Sequence, residues 1–202
     1  MEYLKFILYG LIQGLTEFIP VSSTAHLKVI SIFLGLDDPG SSTSAVIQLG
    51  SVFAVFWYFK NDFLMYKLQS SNNLFAFLLH SRLSRSIFIG TIPIIILGGS
   101  IKLFVPDFSN IFFRSNLSIA IVSFLMSLFM YIADNSKRSF INLRNFKYID
   151  SLLIGFSQAF AIFPGVSRSG VTISTALLTG WNRKDAAKFS FILGIPAITL
   201  AA

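Results

Sequence analysis

Long apolar runs dominate this chain, and clusters of polar residues interrupt them. The clearest runs cover residues 45–59, 87–105 and 117–133. At 1.5 Å per residue, helices of these lengths reach roughly 22 to 28 Å, close to the thickness of a hydrocarbon core. The pattern therefore predicts three membrane-spanning helices. A further apolar run over residues 189–202 predicts the beginning of an incomplete last span.

The charged residues between the runs predict an orientation. Basic side chains concentrate in residues 60–85 and 134–150, whereas residues 106–116 hold only Arg114, which Asp107 offsets. The positive-inside rule places the two basic segments in the cytoplasm and the third segment outside. The chain is thus predicted to be a multi-pass membrane protein.

Two pairs of shorter apolar segments are each separated by a proline: residues 4–19 and 27–34 around Pro20, and residues 152–163 and 170–178 around Pro164. No single segment spans a bilayer comfortably. We interpret the pairs as re-entrant helical hairpins that enter from opposite faces, with tips near the midplane. This inverted-repeat arrangement is typical of transporters. The alternative is two ordinary kinked spans.

The predicted fold class is therefore an all-α, polytopic membrane protein with a single integral-membrane domain, residues 1–202. Its expected parts are a first hairpin and span (1–60), a cytoplasmic loop (61–85), two spans (86–133), a second cytoplasmic loop (134–149), and a second hairpin with an incomplete last span (150–202). Gly10 and Gly14 lie four residues apart, a spacing that would allow another helix to approach closely.

Composition narrows the class of protein. The chain is 54% hydrophobic and 12% charged, about half the charged fraction of a soluble domain, which disfavours a soluble protein with a large core. The net charge of +7 would suit nucleic acid, but short basic clusters fit cytoplasmic loops better. No nucleic-acid partner is expected. The absence of cysteine excludes disulfides and thiolate nucleophiles.

The first polar cluster places ionisable groups at membrane depth, where they are costly and usually functional. Gln13 and Glu17 are four residues apart and share one helix face. His26 follows Ser23 by three residues, so both are expected to face one ligand. The hydroxyls that follow Pro20 are predicted to begin the next helix: Ser22, Ser23 and Thr24.

The second polar cluster is basic. Ser167 is predicted to open a helix with Arg168 in its first turn, and Ser169 and Thr172 share a face. A helix N-terminus offers unpaired N–H groups and partial positive charge, and arginine suits phosphate oxygens. The two clusters together predict a phosphate-handling site.

Each feature alone has an ordinary explanation, because a serine often only caps a helix and a lone arginine often extends to the interface. The combination supplies a carboxylate, a hydroxyl nucleophile, an imidazole and a cation. The predicted catalytic residues are Glu17, Ser23, His26 and Arg168, and the Glu17 carboxylate is predicted to bind a metal or to act as a base. The predicted substrate-binding residues are Gln13, Ser22, Thr24, Ser167, Ser169 and Thr172.

These motifs resemble those of the undecaprenyl-diphosphate phosphatases, the BacA family. The matching stretches are Gln13-x-x-x-Glu17, Pro20-Val-Ser-Ser-Thr-Ala-His26, Ile47-Gln48-Leu-Gly50, Ile89-Gly90-Thr-Ile-Pro93, Pro164-Gly-Val-Ser-Arg-Ser-Gly-Val-Thr172 and residues 183–196. Gln13 departs from a commoner glutamate and is given a supporting role. Family members continue past position 202, so a C-terminally truncated chain is expected.

The resemblance implies an integral enzyme of the bacterial plasma (inner) membrane that hydrolyses undecaprenyl diphosphate to undecaprenyl phosphate and phosphate. That reaction recycles the lipid carrier for the cell wall and confers bacitracin resistance. It implies a divalent cation, Mg²⁺ or Ca²⁺. By position, Glu17 and His26 fall on catalytic residues, Arg168 on the phosphate-binding arginine and Ser23 on a proposed nucleophile.

We hypothesise that the polyprenyl diphosphate head enters from the outer face while its tail stays among membrane lipids. Ser23, or a water activated by His26, attacks the terminal phosphorus. Whether a phosphoenzyme forms on Ser23, on His26 or on neither is left open.

The rival function is a polyprenyl-phosphate transporter or flippase without hydrolysis. A PAP2-type phosphatase is disfavoured because it needs two site histidines, and His80 is expected on a loop surface. The identity of the cation, the preferred length of the prenyl chain and the oligomeric state, including a possible homo-oligomer, are left open.

Overall fold

The structure is a computed structural model that describes residues 2–36, 39–70, 81–105, 115–136 and 139–202. These parts are all-helical, as predicted, and contain one isolated bridge (Ile141 with Trp181) but no strand. The helices are α1 Glu2–Phe18, α2 Ser23–Phe33, α3 Gly40–Ser70, α4 Arg82–Phe104, α5 Asn116–Asp134, α6 Tyr148–Ala159, a 3-10 turn Phe160–Ile162, α7 Arg168–Leu178 and α8 Arg183–Ala201.

The predicted runs 45–59 and 117–133 lie within α3 and α5, and the run 87–105 ends one residue beyond α4. The predicted loop 60–85 is wrong at both of its ends. Helix α3 continues to Ser70, and α4 begins at Arg82. Residues 60–70 contain neither glycine nor proline, so their polar side chains do not stop the helix. The predictions for His80 and for residues 106–114 lie outside the described residues.

Helices α4 and α5 are the two within the described ranges that are long and apolar enough to cross a membrane. Their outward faces carry large exposed apolar side chains, including Phe88, Ile96, Phe124 and Leu125. An apolar surface of this extent on helices of this length fits contact with lipid.

Serine residues cap the N-termini of four of the helices. The N-cap residues are Ser22 for α2, Ser81 for α4, Ser115 for α5 and Ser167 for α7, and each accepts a hydrogen bond from a backbone N–H three residues further on. Such a cap satisfies a backbone donor that has no partner within the helix. The predicted starts of α2 and α7 are therefore confirmed.

Helices α4 and α6 meet at two glycines. A Cβ atom added to Gly155 would lie 2.1 Å from the carbonyl oxygen of Gly90, so this contact requires that neither residue carry a side chain. Gly10 and Gly14 make no such contact, because a Cβ there meets no described atom within 4 Å. Their spacing would allow a close helix contact, but the two glycines lie on a face of α1 that does not pack against another described helix.

Aromatic side chains form the main core. The rings of Phe146, Trp181 and Phe189 are fully buried or nearly so, with centroids 5.2 to 5.8 Å apart. They join the segment before α6 to the turn between α7 and α8. Arg82 reinforces the junction by donating to the carbonyl of Phe146. These contacts hold together the segment before α6, the turn after α7 and the first half of α8.

Each interrupted segment forms a pair of packed helices, α1 with α2 and α6 with α7. A smaller core of Tyr9, Ile12 and Leu27 holds the first pair together. The hydroxyl of Tyr9 lies 2.9 Å from the hydroxyl of Ser31 across this pair. The connections between the paired helices, after Phe18 and after Ile162, meet at the site described next.

Candidate active site

A buried ion pair lies at the centre of the site. Oε1 of Glu17 accepts hydrogen bonds from Nη2 of Arg168 at 2.9 Å and from its Nε at 3.3 Å. Only 6% of the Glu17 side chain and 11% of the Arg168 side chain are exposed. The last turn of α1 is thus joined to the first turn of α7, and the two predicted polar clusters meet.

The second carboxylate oxygen of Glu17 has two further donors. Nε2 of Gln13 lies 2.5 Å from Oε2, one helical turn away as predicted, and the hydroxyl of Ser23 donates to the same oxygen at 3.2 Å. Oε1 of Gln13 is buried and has no hydrogen-bond partner among the described residues. Glu17 therefore orients a serine hydroxyl, and an unused amide oxygen lies beside it.

Arg168 has a second anchor on α8. Its Nη1 donates to the backbone carbonyl of Ser190 at 3.3 Å. The Ser190 hydroxyl lies 2.6 Å from the hydroxyl of Thr172, which also donates to the carbonyls of Arg168 and Ser169. Thr172 is fully buried and faces α8. Sequence reasoning missed Ser190, because its role depends on how α8 packs against α7.

Two helix N-termini converge on the ion pair. Ser22 caps α2 and Ser167 caps α7. The hydroxyl of Ser169, in the first turn of α7, donates to the backbone carbonyl of Glu17 at 3.1 Å. Both N-termini present backbone N–H groups and partial positive charge towards one place, which suits an anion.

A cavity of about 170 Å³ lies at this junction. The predicted site residues that line it are Glu17, Ser23, Thr24, Ser167, Arg168 and Ser169. Thr16 and Gln48 also line it and were not assigned a role from the sequence. Gln48 did carry a signal, because it is a polar residue in an apolar stretch of α3. The cavity is a small concave site with convergent hydroxyls, a cation and a carboxylate.

His26 lines a different, larger cavity of about 560 Å³, together with Ser22 and Ser167. Its Nδ1 lies 3.0 Å from the carbonyl oxygen of Ser22. A carbonyl only accepts, so Nδ1 carries a hydrogen and Nε2 is left to exchange a proton. Ser23 and His26 thus line two adjoining cavities that share Ser167, and a ligand must extend across both to meet both.

The donor set at the smaller cavity is compatible with one magnesium-like cation. No cluster of three or more His, Cys, Asp or Glu side chains occurs in the part of the chain that the structure describes. Mg²⁺, however, is commonly held by one or two carboxylates together with substrate phosphates and water. Glu17 lines this cavity and supplies one such carboxylate. The buried Oε1 of Gln13 belongs to the amide that donates to Glu17.

The fold and the site define an all-helical protein with two helices that are long and apolar enough to cross a membrane, and with a small cavity lined by hydroxyls, a carboxylate and an arginine. The chain belongs to the family described as "Bacitracin resistance protein BacA", which matches residues 6–202.

The chain is also similar to curated relatives that carry the name undecaprenyl-diphosphatase. It is 72% identical to the protein of Prochlorococcus marinus strain AS9601 over 202 residues, which cover all of this chain and 74% of that relative. It is 73% identical to the protein of strain MIT 9312 over 201 residues, all of this chain and 75% of the relative. It is 46% identical to that of Synechococcus sp. strain RCC307, over 96% of this chain and 69% of the relative.

Proposed function

We propose that the cavity at Glu17 and Arg168 is where the diphosphate head of a polyprenyl diphosphate binds and is cleaved. The protein hydrolyses undecaprenyl diphosphate to undecaprenyl phosphate and phosphate. This recycles the lipid carrier for cell-wall synthesis and lowers the amount of the diphosphate that bacitracin traps. The observation that carries the assignment is a serine hydroxyl held by Glu17 beside Arg168, between two helix N-termini.

Binding of the head uses the positive end of the site. The terminal phosphoryl group lies against the guanidinium of Arg168 and the first-turn N–H groups of α2 and α7. These donors are fixed before the substrate arrives, because Glu17 and the Ser190 carbonyl already orient Arg168. Preorganised donors stabilise charge that develops in phosphoryl transfer.

The Ser23 hydroxyl attacks the terminal phosphorus. Its oxygen forms the new P–O bond while the bond from that phosphorus to the bridging oxygen breaks, and the hydroxyl proton passes to Oε2 of Glu17, with which it is already hydrogen-bonded. The bridging oxygen leaves with the electron pair as part of undecaprenyl phosphate. Water then hydrolyses the phosphoserine and releases phosphate.

His26 acts from the larger cavity, which it lines together with Ser22 and Ser167. With Nδ1 bound to the Ser22 carbonyl, Nε2 can exchange a proton with the leaving group or with the attacking water. A divalent cation, Mg²⁺ or Ca²⁺, would be held by the Glu17 carboxylate. When bound, it supplies positive charge for the phosphate oxygens.

The two helix pairs are re-entrant hairpins of an inverted repeat in the bacterial plasma membrane, with the site open towards the outer face. Three features support this part of the proposal. Each pair is interrupted near its middle, both interruptions meet at the site, and the basic segments flank α4 and α5 on their expected cytoplasmic ends.

Phosphate release from undecaprenyl diphosphate in detergent tests the function, because detergent removes any sidedness. We expect release by the native protein and its loss in Arg168→Ala and His26→Ala. Arg183→Ala is the matched control, since Arg183 forms an exposed ion pair with Asp134 away from the smaller cavity. Binding of the lipid without release would reject hydrolysis and favour the transporter alternative.

A further inference from the structure

Helix α3 contributes one residue, Gln48, to the wall of the smaller cavity. Gln48 is half-buried. The preceding residue, Ile47, packs against the small core of Tyr9, Ile12 and Leu27, which holds this turn of α3 in place. The cavity therefore receives an amide from a helix that belongs to neither of the two interrupted pairs.

The amide of Gln48 makes no hydrogen bond to any residue that the structure describes. Most polar neighbours in the cavity are already paired, because Ser23, Arg168 and Ser169 all donate to Glu17. A glutamine amide offers one acceptor oxygen and two N–H donors. Those groups line the cavity and are available to a molecule inside it.

We propose that Gln48 orients the water that hydrolyses the phosphoserine formed on Ser23; the inference rests on the proposed function. Oε1 of Gln48 accepts a hydrogen bond from the water, and Nε2 donates to a phosphoryl oxygen, so the water is held against the phosphorus. A glutamine orients the attacking water in the same way in GTPases. The cavity of about 170 Å³ holds a water beside the phosphoryl group, because one water needs only a small part of that space.

The direction of attack favours Gln48 over the other polar groups. In-line displacement places the water on the side of the phosphorus opposite to the Ser23 oxygen. Thr24 also lines the cavity without a hydrogen bond to the described residues, but it follows Ser23 on α2 and approaches from the nucleophile's own helix. His26 lines the adjoining cavity. Gln48 approaches from α3, a different helix, and so fits the opposite side.

The proposed step balances in atoms and charge. The water oxygen forms the new P–O bond while the bond between phosphorus and the Ser23 oxygen breaks, and its electron pair goes to that oxygen. Oε2 of Glu17 returns to it the proton taken in the first step. The water keeps one hydrogen in the released phosphate and loses its other proton to bulk water. The Ser23 hydroxyl and the Glu17 carboxylate are thereby restored.

Gln48→Leu tests the role of the amide, because it removes the amide at nearly constant size. The protein is loaded with undecaprenyl diphosphate labelled on the terminal phosphate, chased with unlabelled substrate and quenched in acid. We expect the labelled phosphoserine to decay about tenfold more slowly than in the native protein, because the water has lost its orientation. We also expect kcat and KM to fall together, since a slow second step accumulates the intermediate. If Gln48→Leu does not fold, Gln48→Asn, which shortens the reach of the amide, is expected to slow the decay in the same direction.

Ser44→Ala is the matched control, because Ser44 lies one turn before Gln48 on α3 and its hydroxyl already donates to the carbonyl of Gly40 at 2.7 Å. It should leave kcat and the decay of the phosphoserine unchanged. A native decay rate in the folded Gln48 variant would overturn the inference, and a rise in KM at unchanged kcat would assign the amide to substrate binding instead. Turnover without trapped label in any of these proteins would also overturn it, because no phosphoserine would exist for the water to attack. A native protein that releases no phosphate at all would reject the proposed function itself.

Discussion

Glu17 and Arg168 lie 151 residues apart in the chain, yet they form a buried ion pair at 2.9 Å. The pair joins α1 to α7 and so assembles the site from both interrupted segments. Desolvation offsets much of the attraction in such a pair, but removal of one partner leaves an uncompensated buried charge. The structural and chemical contributions of the pair can therefore be separated by changing one partner or both.

Glu17→Gln and Arg168→Gln are each expected to lower the free energy of unfolding by about 3–5 kcal/mol. The double variant should recover part of this loss, because no lone charge remains. None of the three should release phosphate, because each lacks the Glu17 carboxylate that acts as base, the Arg168 guanidinium that binds the phosphate, or both. Thermal unfolding in detergent and phosphate release measure the two effects.

The exposed pair of Asp134 and Arg183 is the control for this cycle, because both side chains are 64% exposed. Neutralising either partner there should cost no more than about 1 kcal/mol. The expected coupling is that the double variant of Glu17 and Arg168 is more stable than the less stable single variant. Equal stability of these two variants would contradict it. Phosphate release by Glu17→Gln would reject the role of Glu17 as base.

A phosphoenzyme on Ser23 is the second expectation. The Ser23 hydroxyl is the nucleophile candidate that contacts the Glu17 carboxylate, so rapid quenching with labelled substrate should trap acid-stable phosphate on the native protein. The label should disappear in Ser23→Ala and persist in Ser22→Ala, because Ser22 caps α2 and lines the other cavity. Acid-labile label would point to His26, and turnover without trapped label would indicate direct attack by water.

Local spacing made a large part of the site predictable. The shared face of Gln13 and Glu17 follows from helix geometry, and the capping roles of Ser22 and Ser167 follow from side-chain chemistry. Ser190 was not predictable, because its role depends on how α8 packs against α7. Tertiary packing of this kind leaves no periodic pattern in a single sequence.

The glycines illustrate the same limit. Gly10 and Gly14 have the spacing of a close helix contact and do not make one within the described residues, whereas Gly90 and Gly155 do. Which glycines meet is decided by the relative placement of two helices, and neither helix encodes that placement alone. For the same reason, the division of Ser23 and His26 between two cavities could not be read from their spacing of three residues.

Gly155→Ala is expected to destabilise the fold strongly. The new Cβ would lie 2.1 Å from the carbonyl oxygen and 2.5 Å from the Cα of Gly90, and backbone atoms cannot yield as a flexible side chain can. Overpacking usually costs about 1–3 kcal/mol and occasionally more. We expect a lower unfolding temperature in detergent by several degrees.

Gly99→Ala is the matched control, because Gly99 lies on α4 like Gly90 and an added Cβ meets no described atom within 4 Å. Alanine within a helix is favoured over glycine by about 0.5–1 kcal/mol, so this variant should be neutral or slightly more stable. Equal unfolding temperatures for both variants would show that α4 and α6 are not held together at these glycines.

Thr172→Val tests whether Thr172 positions Arg168 or binds substrate. Its hydroxyl is fully buried and lies 2.6 Å from that of Ser190, whose carbonyl accepts from Arg168. Removing the hydroxyl should loosen α7 against α8 and cost about 1–3 kcal/mol, because the Ser190 hydroxyl loses its partner. A displaced guanidinium should lower kcat roughly tenfold while KM changes little, since its alignment matters most in the transition state.

Thr172→Ser should restore most of the activity, and Thr179→Val should leave it intact, because the Thr179 hydroxyl bonds only backbone carbonyls at the other end of α7. A rise in KM at unchanged kcat would instead assign Thr172 to substrate binding, as its position in the sequence motif first predicts.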